Sequence, residues 1–146
     1  MRLHFLPALI IGFAATSVLV CAAESETAKS KWFELTENQA YVADFALKPG
    51  ETKPVEIPAT GTQAVGFKSD LFSRQDITKE QRSAHIKKNI IRMAGSDGKG
   101  WIETSLGGTY SYGSKDGKIS ITLENKSDLE VKVVVYTSLS KSDKAP

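Results

Sequence analysis

The chain has 146 residues, with 19 Lys and Arg, 17 Asp and Glu, and a single cysteine. This length fits one domain, and the near balance of charge lacks the basic excess of nucleic-acid-binding proteins. Strongly alternating segments and Gly/Asp-rich turns exclude a disordered chain. One cysteine excludes a disulfide framework, so stability has to come from a buried core.

Residues 1–23 have the three-part pattern of a secretory signal: a basic start, an apolar run and small residues ending at Ala23. Cleavage after Ala23 would remove the only cysteine, Cys21. We therefore expect a secreted or periplasmic protein with no stable membrane span after cleavage. Two alternatives stay open, a lipoprotein anchored through Cys21 and a retained N-terminal anchor.

The rest of the chain divides into three parts. Residues 24–31 are polar and small and predict a flexible lead-in, residues 32–138 form the predicted folded domain, and residues 139–146 predict a flexible tail. Within 32–138 the dominant period of the apolar residues is two, which is the period of a β-strand with one buried face.

Alternation and turn signals predict about seven to nine short strands. The clearest pair is 119–124 and 129–136, joined by a polar turn; the second of these begins half exposed and ends apolar on both faces, as a central strand does. The other candidates are 41–47, 55–57, 65–67, 90–94, 101–106 and 110–112. We predict a mainly antiparallel β-sandwich, immunoglobulin-like or jelly-roll-like.

Residues 74–89 interrupt this pattern as one short helical or loop insertion. Thr78 is a plausible helix N-cap, and Gln81 stands three positions later as in a capping box. Apolar residues follow at helical spacing, so the sequence favours a helix of about ten residues that ends near Asn89.

Outside the predicted signal, the residue types present argue against metal binding and against common kinds of catalysis. With His85 as the only histidine and no cysteine, we expect no metal site, no cofactor and no catalytic residue. We expect His85 to be a solvated side chain on a basic helix, with no neighbouring carboxylate to orient it. Paired acids such as Asp44 and Glu103 would be needed for glycoside hydrolysis, but each fits an outward-facing strand position better.

Two groups of residues are candidates for binding. If the strands that hold them pair, four residues form an aromatic platform on a polar sheet face that suits a sugar or a protein partner. These predicted ligand-binding residues are Trp101, Glu103, Tyr110 and Tyr112.

The second group is basic: seven basic residues against three acids lie between Lys68 and Arg92. Such a patch favours an anionic envelope component or an acidic partner. The predicted partner-binding residues are Arg74, Lys79, Arg82, Lys87 and Lys88. Nearby, Asn125 begins an Asn-Lys-Ser glycosylation motif in a turn that we predict to be exposed.

The sequence thus favours an exported, non-enzymatic binding or protein-interaction module, with a protein, a glycan or an anionic envelope component as its partner and no nucleic acid. The alternative is a small carbohydrate-active or carbohydrate-binding protein that uses the aromatic sheet face together with Asp and Glu side chains. A structural envelope component is a third possibility.

Overall fold

A computed structural model describes residues 32–139 of the chain. The predicted signal (1–23) and lead-in (24–31) lie outside the described residues, as does the predicted tail after Leu139. The backbone N–H of Leu139 itself donates to the Asn38 carbonyl at 2.7 Å.

The described residues form eight strands, one 3-10 turn and one α-helix. The strands are β1 Gln39–Leu47, β2 Thr52–Pro58, β3 Thr62–Ser69, β4 Ile91–Gly95, β5 Trp101–Thr104, β6 Gly107–Gly113, β7 Lys118–Asn125 and β8 Val131–Ser138. The 3-10 turn covers Asp70–Ser73, and helix α1 covers Lys79–Lys88. Among these residues no helix has the length and apolar character needed to cross a bilayer.

The strands make two antiparallel four-stranded sheets. The first sheet has the order β1-β8-β3-β6 and the second sheet the order β2-β7-β4-β5. Every connection crosses from one sheet to the other except that from β4 to β5, which pair within the second sheet. This is the strand order of an eight-stranded jelly roll, also called a double-stranded β-helix. The predicted β-sandwich is confirmed, and of its two proposed variants the order matches the jelly roll.

The core lies between the sheets and follows the predicted alternation. On β7 the residues Ile119, Ile121 and Leu123 are buried, and the inward positions of β8 are fully buried too. Because each strand sends every second side chain inward, two amphipathic sheets suffice to fill the space between them.

Strand β8 is buried on both faces, as its sequence predicts. Its outward residues Val134 and Tyr136 are buried as well. The buried ring of Phe33 stacks on Tyr41, the β1 neighbour of Tyr136, with 6.3 Å between ring centroids. The Tyr136 ring lies directly over Gly66, where any Cβ would approach the ring carbon Cζ to 2.6 Å.

The predicted helix is present with its capping box. The Gln81 N–H donates to Thr78 Oγ1 at 3.1 Å, and the Thr78 N–H donates to Gln81 Oε1 at 2.8 Å. At the other end Asn89 adopts a left-handed conformation with φ 51°, which stops the helix where the sequence predicts. The buried Ser105 hydroxyl satisfies the helix end, since it lies 2.7 Å from the His85 carbonyl oxygen and accepts from the Ile90 N–H at 3.0 Å.

Candidate functional site

The predicted aromatic platform is divided between the two sheets. Trp101 and Glu103 lie on β5, at the edge of the second sheet, and Tyr110 and Tyr112 lie on β6, at the edge of the first. The two strands follow one another along the chain but each pairs with a different neighbour, so the expected common face does not form. The error has a physical cause: a period of two reports which residues share a strand face, but not which strands share a sheet.

Tyr112 belongs to the hydrophobic core. Its side chain is 7% exposed, and burial raises the pKa of its phenol to about 12, so the hydroxyl stays protonated. Among the described residues this hydroxyl has no hydrogen-bond partner. Tyr110 lies half exposed at the rim of the core, with its ring centroid 4.9 Å from that of Tyr112.

Trp101 instead begins a row of side chains across the outer face of the second sheet. Cross-strand pairing places Trp101 beside Ala94, Ala94 beside Thr122, and Thr122 beside Pro54. We call these four residues the Trp101 row. Three inter-strand spacings make it about 14 Å long. Its only large side chain is the indole, which is 50% exposed, whereas Ala94 beside it is buried. Thr122 is partly exposed and Pro54 is exposed.

A charged row runs parallel to the Trp101 row on the same face. Glu103 pairs with Arg92, and Arg92 pairs with Glu124. The Glu103 carboxylate accepts hydrogen bonds from Lys126 at 2.9 Å and from Arg92 at 3.4 Å, and these cations lower the pKa of its carboxyl group. The Arg92 guanidinium also lies over the Trp101 ring, 4.7 Å from its centroid. Arg92 therefore ties the aromatic row to the charged one.

Two of the five predicted partner-binding basic residues are engaged within the fold. Arg74 donates to the Glu130 carbonyl and forms a 2.8 Å hydrogen bond from Nε to Asp76 Oδ1. Arg82 donates to the Leu71 carbonyl at 3.2 Å and to the carbonyl of Arg74. The two guanidinium groups thus hold the 3-10 turn and the segment after it against the domain.

The other three, Lys79, Lys87 and Lys88, are exposed on α1. The basic surface available to a partner is therefore smaller than the sequence predicts. Sequence inspection does not distinguish an arginine that holds backbone carbonyls from one that faces solvent.

His85 differs from its predicted environment. Its side chain is mostly buried, and its Nε2 lies 4.0 Å from Asp128 Oδ1, so a carboxylate stands near it after all. Both residues line a cleft of about 320 Å³ between α1 and the turn after β7, together with Ser127. The Ser127 hydroxyl bonds to Asn125 Oδ1 at 2.7 Å and to the Leu129 carbonyl at 3.1 Å. These bonds are directed within the turn, so the three groups do not form a relay to an activated nucleophile.

The two acids considered for glycoside hydrolysis lie on opposite sides of the molecule. Asp44 is on the outer face of the first sheet, where the Tyr41 hydroxyl donates to it at 2.6 Å. Glu103 is on the outer face of the second sheet. They cannot act together on one glycosidic bond. Among the described residues no group of three or more His, Cys, Asp or Glu side chains is placed to hold a metal ion.

A cleft of about 370 Å³ beside the 3-10 turn contains an acid that the sequence does not distinguish from a surface residue. Asp70 is buried there, and burial raises the pKa of its carboxyl group despite a hydrogen bond from the Lys132 N–H. Across the cleft Arg74 lowers the pKa of Asp76 to about 2. The two acids therefore have opposite pKa shifts, one from desolvation and the other from an exposed ion pair.

The predicted glycosylation motif is not accessible at its asparagine. Asn125 ends β7 with its side chain fully buried, and its amide donates to the carbonyls of Leu47 at 3.0 Å and Leu129 at 2.7 Å. The turn is polar, as predicted, but this asparagine fixes it to the end of β1 and does not face solvent.

Comparison with known proteins gives a structural similarity but no family. The chain is similar to a de novo designed double-stranded β-helix solved by NMR in solution, with 18% sequence identity and a TM-score of 0.42, over 66% of this chain and 96% of that one. No known protein family matches the sequence, and no curated protein matches it either. The fold assignment above therefore depends on strand order and register in this chain.

Proposed function

We propose that this chain is a non-enzymatic binding module that acts in the periplasm or outside the cell and holds a neutral glycan along the Trp101 row. The observation that supports this most strongly is the half-exposed indole of Trp101. It lies in line with Thr122 and Pro54, and the buried Ala94 between them leaves no large side chain in the way. An aromatic ring on a rigid sheet offers a large contact area at low conformational cost.

The charged row favours a neutral partner on this face. Its two acids, Glu103 and Glu124, are matched by Arg92 and Lys126, and both cations contact the Glu103 carboxylate. An anionic polymer would gain little attraction from a row whose charges already cancel. Sugar hydroxyls, in contrast, can both donate to the carboxylates and accept from the cations.

The arrangement of the acids favours binding over hydrolysis. Asp44 and Glu103 face away from each other on opposite sheets, and the Glu103 pKa is lowered, whereas a general acid needs a raised one. Export is proposed from the pattern of residues 1–23.

The proposal is tested by retention on insoluble neutral polysaccharides, with cellulose, chitin and xylan as the probes. We expect the purified chain to be retained on at least one of them and Trp101→Ala to weaken its affinity at least about ten-fold. Phe72→Ala is the matched control, because Phe72 is 73% exposed but lies off this face on the 3-10 turn. No retention on any of the three, or an equal loss in both variants, would overturn the proposal.

A further inference from the structure

The four edge strands of the two sheets differ in how they are protected. An exposed edge presents unpaired backbone groups, and proteins block such edges with prolines, charges, bulges or very short strands. The edges here are β1 and β6 in the first sheet and β2 and β5 in the second.

Three of these edges carry such a device. Strand β1 has a register shift between Tyr41 and Ala43 and an acid at Asp44. Strand β2 contains Pro54 and Pro58, with charged residues between and beside them. Strand β5 has only four residues, one of them charged.

Strand β6 has none of them. Its sequence, Gly-Gly-Thr-Tyr-Ser-Tyr-Gly, contains no charge and no proline, and its seven residues pair with β3 in continuous register from Gly107 to Gly113. Thr109, Tyr110 and Ser111 at its centre are exposed. The loop between β4 and β5 approaches this strand at the Tyr110 ring, through Gly100. Because the centre of the strand stays exposed beside that loop, it is a long, regular and neutral edge that can accept a further antiparallel strand.

The sequence of β6 is complementary to itself. In an antiparallel pair of two β6 strands, only the register centred on Tyr110 pairs all seven residues. That register places Thr109 opposite Ser111, so that two hydroxyl side chains meet, and Gly108 opposite Tyr112, so that a large residue faces a small one. Each contact occurs twice, as a two-fold axis requires.

We infer that β6 is a self-association edge: two copies of this chain pair their β6 strands about a two-fold axis at Tyr110 and join their first sheets into one eight-stranded sheet. This surface is distinct from the Trp101 row, which lies on the outer face of the other sheet. The inference therefore does not depend on the proposed glycan binding.

Sedimentation velocity over a range of protein concentrations tests the inference. We expect a reversible dimer, and we expect Ser111→Lys to raise its dissociation constant about ten-fold or more. Thr52→Lys is the matched control, since it adds a lysine at an exposed position of the already protected edge β2. A chain that stays monomeric at the highest concentration, as it would if the edge served an extended segment of another protein, overturns the inference.

The register is tested by charge pairing. The double change Thr109→Lys with Ser111→Lys places like charges opposite each other twice and should abolish the dimer, whereas Thr109→Glu with Ser111→Lys should restore it. Circular dichroism and thermal unfolding of each variant confirm that the monomer is folded. A dimer that survives the double lysine change, or that the Glu/Lys pair fails to restore, contradicts the proposed strand pairing.

Discussion

Asp70 Oδ1 accepts a hydrogen bond of 3.1 Å from the backbone N–H of Lys132, so a buried carboxyl group joins the 3-10 turn to strand β8 across 62 positions of the chain. Desolvation raises the pKa of this carboxyl group above its ordinary value. The folded state therefore binds the proton more tightly than the unfolded state does, and this group weakens stability as pH rises from about 3.8 through the folded pKa.

Asp70→Asn keeps an oxygen acceptor for Lys132 but has no charge to desolvate. We expect its stability relative to wild type to improve as pH rises through that window and to show no such gain below it. Asp70→Ala should lose about 1–3 kcal/mol because the Lys132 N–H is left unpaired. Urea unfolding from pH 3 to pH 8 measures both variants, and an Asn variant whose relative stability falls with rising pH would refute this account of Asp70.

Asn125 should be among the most sensitive polar residues of the domain. Asn125→Ala removes the amide that bonds to Leu47 and Leu129, and the acceptor for the Ser127 N–H at 3.0 Å. The expected loss is about 3 kcal/mol in the free energy of unfolding, since several buried groups lose their partners together. Asn38→Ala, at an exposed turn position, is the control and should change stability by less than about 0.5 kcal/mol. Similar values for the two variants would contradict the proposed anchoring.

Gly66 is required by the ring that lies over it. Gly66→Ala would place a Cβ 2.6 Å from Tyr136 Cζ and equally close to the Thr109 methyl group, and the resulting overpacking should cost about 1–3 kcal/mol. Gly113→Ala is a matched strand glycine with open space at its Cβ position and should be near neutral. Thermal unfolding of both variants decides the point, and a tolerated Gly66→Ala would mean that the Tyr136 ring lies elsewhere.

Of the basic residues predicted to bind an anionic partner, only the three lysines of α1 are exposed, so the predicted contact depends on them. Changing Lys79, Lys87 and Lys88 together to Glu should lower the salt concentration at which the chain elutes from a heparin column, because heparin is a polyanion. The control changes three scattered exposed lysines to Glu, with the same change in net charge: Lys48, Lys99 and Lys115. If both triple variants elute together, the α1 lysines form no specific anionic contact.

Local features of the fold were predictable because they depend on near neighbours. The alternation of β7 predicts its buried face, and the Thr78 and Gln81 pair predicts the start of α1. Contacts across long sequence separation were not predictable in this way. The separation of Trp101 from Tyr112 follows from sheet membership, which periodicity does not report. The burial of Asn125 likewise depends on a carbonyl 78 positions away.

Nuclear magnetic resonance titration of the ¹⁵N-labelled chain with cellohexaose, chitohexaose and xylohexaose tests the central claim most directly. We predict that the indole N–H of Trp101 and the backbone amides of Ala94, Thr122 and their strand neighbours shift with a common dissociation constant, while those of α1 stay in place. A spectrum unchanged by all three oligosaccharides, or shifts confined to α1, would contradict the account.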